Sequence, residues 1–129
     1  MTCIDYYDGA YGKTIRIAAK NERWLTTLKE KVEEVLGDSL SGLDICSIVD
    51  TECSTRIKKL ELSKAKKHTT PCIYATKVND QMSFYWKQDE EELITLIGLI
   101  DSLIESERPG HQYLAHEEDD FIIVLSHNE

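Results

Sequence analysis

His111 and His116, followed at once by Glu117, Glu118, Asp119 and Asp120, are the densest set of potential metal ligands in the chain. Two imidazoles and a carboxylate suit a divalent transition metal. The spacing argues against that use. A five-residue step does not bring two histidines to one helical face, and it puts them on opposite faces of a strand. The expectation is a solvated acidic loop without metal. Cys3, Cys46, Cys53 and Cys72 stand far apart and form no CxxC pair, which also disfavours zinc. Met1 is followed by neither a basic start nor an apolar run, so the cysteines are expected to be reduced, mostly buried thiols in a cytoplasmic chain. A thiol nucleophile needs a base beside it, and the sequence pairs no cysteine with a particular histidine. No phosphate loop, dinucleotide fingerprint, HExxH or nucleophile elbow occurs. The reading is no catalytic residue, no cofactor and no metal.

Charge narrows the partners. The net charge is -9, unevenly spread. Residues 1–53 carry ten acids against six bases, residues 54–78 one acid against seven bases, and residues 79–129 thirteen acids against two bases. An acidic half of this strength repels nucleic acid and anionic membranes and attracts basic proteins. The basic stretch Arg56–Lys67 has no aromatic among its lysines, hence no platform for stacked bases. It reads as a solvated edge strand on which lysines discourage edge pairing. Tyr85 and Trp86 are neighbours in a β-rich run, so one faces inward and the other outward. An exposed aromatic beside Asp89 and Glu90 has the character of an interface anchor.

The elements that must hold these residues follow from periodicity. Asp89–Ser106 is the longest strongly apolar segment, with Leu93, Leu96, Ile97, Ile100, Leu103 and Ile104 at helical spacing. Asp89 with Glu92 forms a capping box, and Pro109-Gly110 ends the segment. It predicts a deeply buried helix, with something packed closely on Gly98. Asn21 caps a second, amphipathic helix, ERWLTTLKEKVEEVL, stopped by Gly37 and lying further out. Strands are predicted at Thr14–Ala19 and around Lys59–Ser63. A hairpin is predicted from Cys72–Val78 and Gln81–Lys87 across Asn79-Asp80, and a doubly buried strand at Phe121–Ser126. Residues 38–55 are left open. No repeat is visible. The whole predicts one α+β domain over 1–129, a two-layer α/β sandwich of about five strands and two main helices.

A small acidic chain without catalytic motifs, ending in GHQYLAHEEDDFIIVLSHNE, resembles the immunity proteins of bacterial contact-dependent growth-inhibition and polymorphic-toxin systems. The resemblance implies a cytoplasmic, non-enzymatic inhibitor of a cognate toxin domain, often a basic nuclease, whose active site it occludes. The expected contacts are Glu117, Glu118, Asp119 and Asp120, with Tyr85, Trp86, Asp89 and Glu90. The alternatives are a small metal- or thiol-dependent hydrolase using His111, His116 or a cysteine, and a non-catalytic adaptor subunit. Monomer and weak dimer both stay open.

Overall fold

The computed structural model describes residues 1–129 except 10–11, 67–69, 107, 115–120 and 129. The fold is α+β. The elements run β1 (Thr2–Gly9), β2 (Gly12–Ala19), α1 (Glu22–Leu36), β3 (Leu43–Asp44), a 3-10 turn (Ile45–Ser47), β4 (Thr51–Cys53), β5 (Ile57–Lys64), β6 (Cys72–Val78), β7 (Gln81–Gln88), α2 (Glu90–Glu105), β8 (Gly110–Tyr113) and β9 (Phe121–His127). The strands form two mixed sheets, ordered β4-β1-β2-β9-β8 and β3-β5-β7-β6. The expected single layer of about five strands is therefore corrected to two sheets and nine strands among the described residues. β3, β4 and β8 are two to four residues long, too short to show an alternating pattern.

The sheets are built from two equivalent halves. Each half is a hairpin, a helix, a short edge strand and a long last strand. β1–β2 and β6–β7 are the hairpins, paired Ile4↔Ile17 and Ile73↔Trp86. The burial patterns of β2 and β7 match residue for residue in their buried positions, with Thr14, Ile15, Ile17 and Ala19 answering Ser83, Phe84, Trp86 and Gln88. The helices match too. Leu25, Leu28, Val32 and Val35 are buried in α1, and Leu93, Leu96, Ile100 and Leu103, each 68 positions later, in α2. Asn21 and Asp89 cap at the same offset, and Glu22, Leu25, Thr27 and Leu28 recur as Glu90, Leu93, Thr95 and Leu96. Each last strand joins the other half's sheet. β9 runs parallel to β2, and β5 parallel to β7. So neither half can bury its own hairpin alone.

One core joins both sheets and both helices. Phe84 bridges the sheets, its ring 5.1 Å from Tyr6 and 5.4 Å from Phe121. Several expectations need correction. β5 is not an edge strand; it lies between β3 and β7. α2 is no more deeply buried than α1, because it carries more apolar residues than its inner face can use, and Ile94 is left 55% exposed. Among the described residues nothing packs on Gly98, and a Cβ there would meet no neighbour within 4 Å. β9 alternates, with Ile122 and Val124 half-buried, so it is not covered equally on both faces. Cys46 and Cys53 form a disulfide, while Cys3 is exposed and Cys72 half-buried. The chain folds back between the 3-10 turn and β4, bringing their Cα atoms to 6.1 Å; a separation of seven gives no sequence sign of that.

Candidate functional site

The residues singled out in the sequence fall into separate places. Trp86 is 2% exposed and packs in the core. It shares an inward row of β7 with Phe84, so it cannot serve as an exposed anchor. Tyr85 points the other way, half-buried on the outer face of the smaller sheet. There it stacks on Tyr74 at 5.0 Å, and the Lys59 ammonium sits 4.6 Å from its ring centre. Lys87 lies 5.7 Å from the Tyr74 ring. The Tyr85 hydroxyl, helped by Glu61, holds Lys59 above the ordinary lysine range, against a smaller opposing effect of desolvation. The aromatics absent from Arg56–Lys67 are thus supplied by the neighbouring hairpin, which reading one segment at a time does not reveal. This face is basic and aromatic, not acidic.

Asp89 is half-buried and spent on the helix. Its Oδ1 accepts from the Glu92 amide at 2.8 Å, and Glu92 Oε1 accepts from the Asp89 amide at 3.2 Å. The box satisfies two amides at the positive end of α2. Glu90 and Glu91 are exposed beside it. α2 carries Glu90, Glu91, Glu92, Asp101 and Glu105 and no base. Ile94 stands on the outer side of this acidic helix, one turn beyond Glu90, with Gly98 a turn further on. A shallow cleft between the helices joins Ile94, Ile97 and Asp101 of α2 to Lys29 and Glu33 of α1. On the other flank, a groove of about 310 Å³ runs between α2 and β8, lined by Glu91, Thr95, Leu99, Tyr113 and Leu114.

Glu117, Glu118, Asp119 and Asp120 lie outside the described residues, as does His116. His111 is exposed on β8, edge-on to Tyr113 at 5.4 Å. Among the described residues, no group of three or more His, Cys, Asp or Glu is placed to hold a metal ion. No described helix is long and apolar enough to cross a membrane. The sequence reading missed Ile94, because a helical apolar residue is expected to be inside. It also missed Tyr74 and Tyr113. Comparison with known protein families, curated proteins and solved structures finds no match.

Proposed function

We infer that the protein is an immunity protein, a non-catalytic inhibitor that binds a basic toxin domain and covers its active site. The observation that carries this reading is the outer side of α2. An exposed isoleucine is set among acids with no base on the helix. An apolar centre with a charged rim is how protein interfaces are built. The rim acids draw a basic partner in, and the apolar centre holds it once docked. Carboxylates aligned on a nuclease cleft also take the place of substrate phosphates. The C-terminal resemblance supports the same reading.

The test begins with the neighbouring genes: a toxin encoded beside this one is expected, and this chain should rescue cells that express it and bind it as a purified pair. Glu90→Gln with Glu91→Gln should slow association and flatten its dependence on salt. Ile94→Ala should leave association unchanged and speed dissociation by roughly tenfold or more, the signature of a hot spot. A wild-type gene that gives no protection would end the immunity reading. Protection retained with unchanged kinetics in both variants would move the interface off α2.

A further inference from the structure

The two halves differ at one edge. In the first half the outer edge of β1 is covered by the chain itself. β4 runs parallel to it, in register Thr2↔Thr51, Cys3↔Glu52 and Ile4↔Cys53. The Thr2 amide donates to Asp50 O at 2.9 Å, and the Ser54 amide donates to Ile4 O at 2.8 Å. The equivalent strand of the second half is β6, which ends its sheet with no strand beyond it among the described residues. The backbone groups at that edge can be assigned. The Met82 amide donates to Arg56 O, and Gln88 O accepts from the Ala65 amide, so even-numbered residues of β7 turn towards β5. Odd-numbered ones therefore bond β6 at Cys72, Tyr74, Thr76 and Val78, following the observed register. Ile73, Ala75 and Lys77 are left with N–H and C=O groups directed outward. Ile73 is the counterpart of Ile4, the residue that holds β4 in the first half.

We propose that the open edge of β6 is a docking site for an extended, acidic segment of a partner polypeptide, added parallel to β6 as β4 is added to β1. Strand addition satisfies the edge donors and acceptors, and flanking side chains set the preference. The flanks are cationic and aromatic. Lys77 stands on the edge strand, and Lys87 lies behind the 43% exposed Tyr74. Val78, 61% exposed, offers an apolar contact at the far end. Carboxylates on every second residue of the added strand would lie on one face, the outer one with Tyr74 and Lys87, while the residues between them would lie on the inner face with Ile73 and Lys77, whose ammonium is 3.8 Å from Asp80. A second copy of this chain fits poorly. A symmetric β6–β6 pair is antiparallel, whereas the molecule's own example is parallel, and it would set Lys77 and its neighbours against their equals. The site is distinct from the acidic face of α2 and opposite to it in charge.

The experiment is titration of the isotope-labelled full chain at low salt with three capped heptapeptides, read by backbone amide shifts. One alternates valine and glutamate, one alternates valine and lysine, and the third is the glutamate peptide N-methylated at every second residue. The expected result is saturable change centred on Ile73, Ala75 and Lys77, at least tenfold tighter for glutamate than for lysine and lost on N-methylation. Ala75→Pro, which removes one outward N–H from an edge strand, should weaken binding of the glutamate peptide at least tenfold. Shifts centred elsewhere, equal affinity for the two charged peptides, binding that survives N-methylation, or a concentration-dependent dimer through β6 would each overturn the proposal.

Discussion

Residues 1–66 and 70–128 build the same arrangement twice and part company at the connection before the last strand. In the first half that connection holds the 3-10 turn and β4, pinned by Cys46–Cys53 and by the Trp24 indole donating to Thr51 at 2.8 Å. In the second half it is shorter, residues 114–120, and its sequence holds the acidic run. The first half closes its own sheet edge. The second half has Glu92 where the first has Trp24, and no strand among the described residues covers its hairpin edge. The same framework yields one half whose hairpin edge is paired and one whose hairpin edge carries no further strand among the described residues. The shared part is the inward-facing rows, since these must fit one core; the divergent part is edges and outer faces, which packing does not constrain.

The largest effects should come from the shared rows. Trp86 and its counterpart Ile17 are both fully inside. Trp86→Ala should cost about 3–5 kcal/mol and Ile17→Ala about 2–5 kcal/mol in chemical denaturation. Such losses take a large part of a typical domain's stability. Because each half's hairpin is completed by the other half's last strand, both variants should unfold the whole chain in one transition. Two separated transitions would mean that the halves are not interdependent.

Next comes the element that makes the halves unequal. Cys46→Ser with Cys53→Ser, or reduction, should destabilise by about 2–3 kcal/mol, the chain-entropy value for so short a loop. The loss should appear first as faster hydrogen exchange at Ser54 and at Thr2, whose amides bond across the β1–β4 edge. The outer edge of β1 would then resemble that of β6. Exchange unchanged at both residues would show that the disulfide does not hold β4 in place.

Much of this was legible in the sequence, and the rest for definite reasons was not. α1 runs over the expected fifteen residues, because a cap, the apolar stripe Trp24, Leu25, Leu28, Val32, Val35 and Leu36, and a closing Gly37 agree; all but Leu36 are buried. The hairpin at 72–88 was legible from its turn, where Asn79 and Asp80 adopt φ of 52° and 65°, the pair of positive angles that twists with the strands. The duplication was hidden because most matching positions share only burial: Ile17 answers Trp86, and Val32 answers Ile100. The alternation of β7 shows that Tyr85 and Trp86 must part. Only the three-dimensional register decides that Trp86 joins Phe84 inside. Ile94 was misread because helical periodicity reports which residues are apolar, not how wide a face the core can take.

A smaller effect tests the surface of α2 against that of α1. Gly98 occupies the position that Glu30 holds in the first half. Its Cβ space is open, so Gly98→Ala should raise stability by about 1 kcal/mol from helix propensity alone. Glu30→Ala should change it by less than half of that amount. If α2 docks its partner as proposed, the added methyl of Gly98→Ala should slow or weaken that binding while stabilising the free protein. A destabilised Gly98→Ala variant would reveal a packing demand that the structure does not contain.

The smallest effect concerns the contact between the helices. Lys29 of α1 meets Asp101 of α2 at 2.7 Å. In the equivalent place on the other side, Ile97 stands where Lys29 stands, so the mirror pair with Glu33 is not formed. The hydrogen-bonded Asp101 carboxylate raises the Lys29 pKa above the ordinary lysine range, against partial desolvation. Folding therefore favours the charged lysine. The pair's contribution is full below the ordinary lysine range and is lost as pH rises through the raised value. Because both groups are solvated, the contribution is small and shrinks with salt. Asp101→Asn should remove this part of the alkaline dependence of the unfolding midpoint. Glu33→Gln should alter it less, since Glu33 is only a secondary influence on Lys29. Equal loss in the two variants would mean that the helix–helix contact is electrostatically as symmetric as the backbone that carries it.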